Sequence, residues 1–259
     1  MVKFTGHTIL ITGGTSGIGL GFAKAFAELG NQVIITARNA ARLADVLAEN
    51  PSFAGFTSDV NDAASLVALR DKVATQFPKL DVLFNSAGIM RAYNLFDENV
   101  AAEEMLAEIT TNLNGTILAT KTFLPLITRN AGTIINVSSG LANFASGAHP
   151  IYSATKAGVH MFTNALREQA LYFEKPIRVI ELVPPLVAET NLEASVSVDA
   201  PNNLKLSDLV AQGIAGIETG SERIDAGFAE QMHQMAKDDE EGLTRRMAQG
   251  MLAGAFPKG

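Results

Sequence analysis

Short apolar runs alternate with longer amphipathic segments along most of the chain. The apolar runs are rich in Val, Ile, Leu and Phe, which predicts strands buried on both faces, at 8–12, 32–37, 53–57, 80–84, 132–137 and 177–183. Helices are predicted where apolar side chains recur every three or four positions, at 40–49, 62–77, 100–129 and 150–173. This alternation predicts an α/β fold whose parallel sheet has helices on both faces.

A glycine-rich turn joins the first predicted strand to a helix that ends at Gly30. The turn has the spacing Gly-x-x-x-Gly-x-Gly, formed by Gly13, Gly17 and Gly19. Glycine lets backbone N–H groups approach a pyrophosphate closely, and a helix N-terminus adds partial positive charge there. Because a strand and a helix flank the turn, it predicts a dinucleotide-binding crevice.

The second predicted strand ends at Arg38, 19 residues beyond Gly19. An acidic residue at this point would bind the ribose of NAD, whereas a guanidinium attracts the 2′-phosphate of NADP. Arg38 therefore favours NADP over NAD, although Ser16 supplies no second cation from the glycine turn. The alternative is an arginine that only faces solvent at a helix start.

Polar residues follow three more of the predicted strands. They are Asp59-Val60 after the third strand, Asn85-Ser86-Ala87-Gly88 after the fourth and Ser138-Ser139 after the fifth. The carboxyl ends of parallel strands share one edge of a sheet, where open α/β sheets bind ligands. These residues therefore predict a site at that edge, with ordinary turn chemistry as the alternative.

The long helix predicted at 100–129 contains Asn112 and Asn114. Asparagine disfavours a helix interior because its side-chain amide competes for backbone hydrogen bonds. The pair therefore predicts a kink or a functional site within this helix.

Tyr152 and Lys156 stand four residues apart in the next predicted helix, 150–173. Residues at this spacing lie on one face of a helix, so the ammonium group is beside the phenol. A nearby cation favours the phenolate and lowers the pKa of a phenol from about 10. The pair predicts acid/base chemistry, and the alternative is an ordinary exposed helix face.

Composition narrows the possible partners. The 259 residues carry a formal net charge of −7, which argues against nucleic acid and against an anionic membrane surface. The absence of cysteine excludes thiolate catalysis and suits a reducing cytoplasm. No apolar run approaches the roughly 18 residues of a membrane span, and the four histidines show no metal-ligand spacing. We therefore expect a cytoplasmic protein with a small-molecule partner and no metal.

Taken together, these residues resemble the short-chain dehydrogenase/reductase family from Thr8 to Thr190. The motifs that carry the resemblance are Thr12-Gly13-x-x-x-Gly17-Ile18-Gly19, Asp59, Asn85-x-Ala87-Gly88, Asn112, Ser139, Tyr152-x-x-x-Lys156 and Pro184. No single motif decides it, but their order and their positions agree. The resemblance implies one doubly wound Rossmann-like domain over 1–259, with a seven-stranded parallel sheet.

The resemblance also implies a function. It is that of an NADP(H)-dependent oxidoreductase that interconverts a ketone or aldehyde with an alcohol. Tyr152 would be the general acid/base, Lys156 would lower its pKa and bind the nicotinamide ribose, Ser139 would hold the substrate oxygen, and Asn112 would anchor a water. The alternatives are an NAD-dependent alcohol dehydrogenase and a non-catalytic dinucleotide-binding regulator or scaffold.

Further binding residues follow from the same resemblance. Cofactor contacts are implied for Gly13, Thr15, Ser16, Gly17, Ile18, Gly19, Arg38, Asp59, Val60, Asn85, Ala87, Gly88, Tyr152, Lys156, Pro184, Val187 and Thr190. Substrate contacts are expected for Ser139, Tyr152, Leu141, His149 and Leu186, with Met90, Phe144 and Leu192 as further pocket candidates. This apolar set, which contains no arginine, predicts an apolar or weakly polar carbonyl substrate.

The chain departs from the family pattern in three places. Pro184-Pro185 replaces the usual Pro-Gly, a pairing that looks like a bacterial subgroup described as oxidoreductases of D-alanyl-lipoteichoic acid formation. Glu189 stands where a threonine is usual, and Thr190 follows it. The usual last strand with its Asp-Gly-Gly ending is expected to be missing, because the segment 221–227 stands in its place.

The remaining segments suggest a lid and an extension. Residues 188–205 lack periodicity and correspond to the substrate lid, where we expect specificity to be decided. The extension 228–252 has a helical pattern with apolar stripes that contain four of the eight methionines. Such stripes indicate packing, with a subunit contact or a pocket cover as alternatives. The family implies dimers or tetramers through the helices 100–129 and 150–173, and we expect a homodimer.

Overall fold

The computed structural model describes residues 3–187, 189–190, 192 and 203–257. Its strands are β1 Thr8–Thr12, β2 Gln32–Ala37, β3 Ala54–Thr57, β4 Val82–Asn85, β5 Thr133–Val137, β6 Arg178–Val183 and β7 Arg223–Asp225. They form one seven-stranded parallel sheet in the order β3-β2-β1-β4-β5-β6-β7. The predicted α/β fold with a doubly wound parallel sheet is confirmed.

Helices connect the strands. They are α1 Gly17–Glu28, α2 Ala40–Glu49, α3 Ala63–Gln76, α4 Ala102–Glu108, α5 Gly115–Arg129, α6 Pro150–Tyr172, α7 Leu206–Thr219 and α8 Phe228–Ala255. Local chemistry sets several of the boundaries. The Asn39 side chain caps α2 by accepting from the Arg42 N–H, and Pro150 occupies the first turn of α6. Within the described ranges, no helix has both the length and the apolar character needed to cross a bilayer.

Two apolar layers hold the helices against the sheet. On one face, Phe22 and Phe26 of α1 pack with Phe84 of β4, in a layer that also includes α2 and α7. On the other face, Leu66 of α3 and Phe123 of α5 meet the opposite side of the central strands. Because both faces are covered, the central strands are apolar throughout rather than alternating.

The carboxyl ends of β1, β4, β5 and β6 are neighbours along one sheet edge. Strand order reverses between β1 and β4, which creates the crevice where doubly wound sheets bind ligands. The loops that leave these four strands therefore supply one site.

The long helix predicted at 100–129 is interrupted, as Asn112 and Asn114 suggested. A π-helical segment, Ile109–Asn114, separates α4 from α5. Single π-helical turns inside longer helices frequently mark functional sites. Asn112 lies in this segment and is fully buried.

The expectation of a missing last strand is wrong. The segment Arg223–Asp225 forms β7 and pairs in parallel with β6. Ile224 is its only apolar residue, so the strand has almost no hydrophobic pattern. Its charged residues are instead held by a partly buried ion cluster, in which the Arg223 guanidinium binds the buried Glu181 of β6 and Asp225.

The C-terminal extension is the helix α8, which is kinked at Asp239, where the backbone is not helical. The Asp239 side chain accepts a hydrogen bond from the Gly242 N–H and thereby starts the second half of the helix. Of the predicted lid, most residues lie outside the described part of the chain. The two ends of this segment are connected by a hydrogen bond from the Leu204 N–H to the Leu186 carbonyl.

Candidate active site

The glycine turn packs directly against the loop that follows β4. Gly13 has φ +68°, and a Cβ on it would lie 2.8 Å from the Ala87 Cα. A Cβ on Gly19 would overlap the Gly13 carbonyl. The turn can therefore take this shape only with glycine at these positions, and it leaves an open crevice beside the N-terminus of α1.

Asn112 joins the π-helical segment to the loop after β4. Its side-chain oxygen accepts from the Ile89 N–H, and its amide nitrogen donates to the Ile89 carbonyl, both at 2.8 Å. The same amide also donates to the Thr155 hydroxyl at 3.1 Å. Asn112 thus positions the loop of Gly88 relative to the helix that carries Tyr152 and Lys156.

Tyr152 lies in the first turn of α6, at the inner end of the crevice. It is only 6% exposed, and the Ser139 side chain, which follows β5, is close enough to influence its hydroxyl. Burial raises the pKa of Tyr152 above its ordinary value of 10.0, and the negative charge of Glu108 raises it further. The Ser139 side chain acts in the opposite direction.

Lys156 lies one helical turn further along α6. Its Nζ donates to the Val137 carbonyl at 2.9 Å and is 5.5 Å from the centre of the Tyr152 ring. Burial lowers the pKa of Lys156 from 10.5 to about 8. The ammonium group is thus available beside the phenol at neutral pH, but burial already weakens its hold on its proton.

The expectation that Lys156 brings the pKa of Tyr152 down towards neutrality is wrong for the protein alone. Loss of solvent around the phenol outweighs the effects of its polar neighbours, so the pKa rises. Tyr152 is therefore a neutral phenol at pH 7. That form can donate a proton to a carbonyl oxygen, which is what reduction requires.

One cavity of about 530 Å³ joins the glycine crevice to Tyr152. From the predicted site its lining includes Gly13, Ser16, Gly17, Ile18, Gly19, Ala87, Gly88, Ser139, Leu141, His149, Tyr152, Lys156, Pro184, Leu186, Val187 and Thr190. The glycine cradle and the helix N-terminus at one end suit a dinucleotide, and the hydroxyl pair lies further in. The residues present therefore fit a nicotinamide dinucleotide.

Thr190, which stands one residue later than the threonine usual in the family, lies beside the glycine turn. A Cβ on Gly17 would be 3.3 Å from the Thr190 Cβ, and the Thr190 hydroxyl donates to the Val187 carbonyl. The one-residue shift therefore still brings a threonine to the crevice.

Seven predicted residues do not line this cavity: Thr15, Arg38, Asp59, Val60, Asn85, Asn112 and Phe144. The Asn85 side chain donates to Thr120 and to Asn136 of β5 in the sheet interior, so it cannot reach the crevice. The side chain of Val60 packs on Gly115. Arg38 is exposed at the carboxyl end of β2.

Sequence reasoning missed one contribution to the site and gave a second only as an alternative. Arg42 lies in the first turn of α2, four residues after Arg38, and its Nε donates to the Thr15 carbonyl in the glycine turn at 3.2 Å. The helix α8 supplies Phe228, Met232, Met247 and Met251 to the cavity wall. The four-residue spacing of Arg38 and Arg42 could have identified the arginine, but nothing local in the chain indicates where α8 packs.

Comparisons with known proteins agree with this geometry. Residues 7–200 match the family model for short chain dehydrogenases. The chain is 33% identical over 254 residues to the uncharacterized oxidoreductase DltE of Bacillus subtilis, covering 95% of this chain and 98% of that one. It is 34% identical over 191 residues to the NADP-dependent 3-hydroxy acid dehydrogenase YdfG of Salmonella typhi, covering 72% of this chain and 75% of the relative.

Solved structures show the same fold. A short chain dehydrogenase from Burkholderia cenocepacia in complex with NADP has a TM-score of 0.82 and 25% identity, covering 95% of this chain and 99% of that one. A Burkholderia phymatum relative in complex with NAD has a TM-score of 0.75 at 23% identity, covering 86% and 90%. The resemblance to the family and to its DltE-like bacterial members is confirmed. The protein belongs to the short-chain dehydrogenase/reductase family and is an NAD(P)-dependent oxidoreductase that acts on alcohol or carbonyl groups.

Proposed function

We propose that the protein is an NADP(H)-dependent reductase of ketones or aldehydes, with Tyr152 as its general acid. The observation that supports this most is that Ser139 and Tyr152, both buried, line the inner end of the glycine-lined cavity together, with Lys156 beside the tyrosine ring. A neutral phenol is poised there to donate a proton, and a substrate oxygen can be held between two hydroxyls.

The residues of the chain divide the chemistry as follows. When bound, the nicotinamide cofactor supplies the hydride in reduction, or accepts it in oxidation. Ser139 holds the substrate oxygen next to Tyr152, which donates its proton to that oxygen. The Lys156 ammonium stabilises the phenolate that remains. In oxidation the proton moves from the alcohol back to Tyr152.

The other assignments are part of the same proposal. Asn112 fixes the loop of Gly88 and anchors a water that links Lys156 to solvent. Glycine-turn residues hold the pyrophosphate, and Val187 and Thr190 meet the nicotinamide end. Asp59 and Val60 flank the adenine. Asn85 anchors the end of β4 in the sheet and thereby positions the backbone of the loop that follows, next to the cofactor ribose. The homodimer and the cytoplasmic location also remain predictions.

We test the acid by exchanging Tyr152 for phenylalanine, which removes the hydroxyl and keeps the ring. NADPH oxidation with a panel of ketones, aldehydes and diketones is expected to slow by about 10²–10⁴-fold. NADPH binding, measured by fluorescence titration, is expected to persist. A variant as active as the parent would exclude Tyr152 as the acid, and a parent that binds NADPH without reducing any carbonyl would favour a regulator or scaffold.

NADP is preferred to NAD in this proposal because Arg38 follows β2 at the carboxyl edge of the sheet and Arg42 donates to the Thr15 carbonyl of the glycine turn. The relative of Salmonella typhi is NADP-dependent, and one similar structure contains NADP while another contains NAD. Exchange of Arg38 for alanine is expected to lower kcat/KM for NADPH by about tenfold to hundredfold, because a charge-assisted contact is lost. The kcat/KM for NADH serves as the internal control. An equal loss of kcat/KM for NADPH and NADH would contradict a role of Arg38 in binding the 2′-phosphate.

A further inference from the structure

One side of α8 forms a wall of the active-site cavity. Phe228 and Met232 line it before the kink at Asp239, and Met247, Gly250, Met251, Gly254 and Ala255 line it afterwards. The positions 247, 251 and 254 recur at the spacing of a single helix face. The whole helix lies outside the region 7–200 that matches the family model.

Packing holds this wall against the loop that follows Ser139. Met232 and Leu243 are buried with Phe144 of that loop and Val183 of β6. A Cβ on Gly140 would overlap the methyl group of Met232, so the absence of a side chain there lets the helix approach. The wall is therefore packed in place beside Tyr152.

Polar contacts tie both halves of α8 to the rest of the molecule. In the first half, His233 Nδ1 lies 3.0 Å from the Asp225 carboxylate at the end of β7. In the second half, the Thr244 hydroxyl accepts from the Ala145 N–H at 3.3 Å. The helix thus bridges the last strand and the pocket loop, which makes its inner face a preformed surface.

The lining is almost free of charge. Among the described residues that line the cavity, Lys156 is the only Lys, Arg, Asp or Glu, and its ammonium already donates to the Val137 carbonyl. A substrate carboxylate would therefore lose its hydration without gaining an arginine partner. Methionine side chains instead offer a flexible, polarisable apolar surface.

We propose that the inner face of α8 is the specificity-determining wall, which selects neutral ketones or aldehydes with an extended or bulky apolar group. This inference rests on the proposed function, because it assigns the substrate class of the same site. The carbonyl meets Ser139 and Tyr152, and the apolar group lies along Met247 and Met251. The open glycines Gly250 and Gly254 leave room for it at the outer end.

The test uses a series of methyl ketones, from 2-butanone to 2-octanone, together with a 3-oxo acid of matched length. For the parent enzyme, kcat/KM with NADPH is expected to rise on the order of fourfold for each added methylene. The neutral ketone is expected to be preferred to the acid. A flat series, or preference for the acid, would overturn the assignment.

Gly254→Leu is expected to narrow the cavity and to keep the fold, since a Cβ placed there meets open space. It is expected to lower kcat/KM for 2-octanone by tenfold or more and to leave 2-butanone within about twofold. Met247→Ala is expected to flatten the chain-length dependence. Met235→Ala is the matched control, because Met235 is on the same helix but 46% exposed. If Gly254→Leu and Met247→Ala keep the parent's dependence on chain length, the wall does not contact the substrate.

A calorimetric titration separates this inference from the proposed function. It measures binding of 2-octanone to the parent and to the Gly254→Leu variant, each loaded with NADP+, which has no hydride to transfer to the ketone. Binding to the parent that is weakened in the variant supports the wall, even where the parent shows no turnover and the proposed function fails. If 2-octanone binds both proteins equally, or binds neither, the assignment of α8 as the specificity wall is wrong.

Discussion

At the scale of single residues, burial dominates the chemistry of the site. Tyr152 and Lys156 are 6% and 5% exposed, and burial favours the neutral form of each, raising the pKa of the phenol and lowering that of the amine. Ser139 provides the opposing contact. The pair is therefore set for proton donation rather than for a standing phenolate.

The pH dependence of reduction should reveal Lys156. The pKa of Lys156 is about 8, so the ammonium is present below that pH and is lost as pH rises through it. We expect kcat/KM for reduction to fall above about pH 8, approaching tenfold per pH unit, because the phenolate product loses its stabilising charge. A steady-state pH profile of NADPH oxidation measures this limb.

Lys156→Arg supplies the control for that profile. A guanidinium keeps its charge throughout the accessible range, so the limb near pH 8 is expected to disappear even where the overall rate is lower. A limb that persists unchanged in the variant would assign it to another group.

At the scale of elements, an ion cluster explains how β7 forms without an apolar pattern. Glu181 of β6 is fully buried and binds Ser138, His160 and Arg223. Although burial raises its pKa, the contacts with His160, Arg223 and Ser138 lower it below the ordinary value. Asp225 extends the cluster to His233 of α8. The cluster therefore links Ser138, at the end of β5, to the helix α8, which forms the pocket wall.

Exchange of Arg223 for alanine leaves the buried Glu181 carboxylate without its guanidinium partner. We expect the free energy of unfolding to fall by about 3–5 kcal/mol, measured by urea denaturation at pH 7. Arg70→Ala removes an exposed pair with Asp71 and is expected to cost at most about 1 kcal/mol. Equal losses in the two variants would show that the cluster contributes no more than a surface pair.

The same cluster predicts a direction with pH. Because the folded pKa of Glu181 lies below its value of 4.5 in the unfolded chain, its contribution to stability is present above about pH 4.5 and is lost as pH falls through the lowered value. As pH falls below about 4.5, the free energy of unfolding should therefore decrease less steeply for Glu181→Gln than for the parent, because the variant has no carboxyl group at this position.

At the scale of the whole molecule, the outer faces of the α4 and α6 helices expose large apolar side chains. Met161 is 67% exposed and Leu106 is 55% exposed. Apolar surface of this kind is typical of subunit contacts when the residues are contiguous. These are also the helices through which a homodimer was expected from the sequence.

Met161→Glu should prevent that association, because it places a charge in an apolar contact. Light scattering after size-exclusion chromatography is expected to give twice the chain mass of 27.4 kDa for the parent and the single mass for the variant. Val67→Glu alters an equally apolar residue on α3, 41% exposed, and should leave the dimer intact. A monomeric parent would exclude the homodimer.

Much of the fold was predictable because strand and turn signals are local. Buried parallel strands such as β1 are continuous apolar runs, and the glycine turn, Ser139 and Tyr152 follow their strands or begin their helices at regular spacings. Asn112 likewise predicted an interruption of the long helix, which the π-helical segment confirms. By contrast, no local pattern predicted β7, because a short edge strand with a single apolar residue has no periodicity, and only the family resemblance implied a seventh strand.

The sequence by itself determined the alternation of strands and helices, the order of the motifs and hence the family, since each depends on residues close together in the chain. Only the tertiary structure decided three further properties. It set the burial that raises the pKa of Tyr152, the direction in which Asn85 points, and the position of the α8 methionines against the pocket. These depend on which distant segments exclude water from one another, and no local pattern in the chain encodes that.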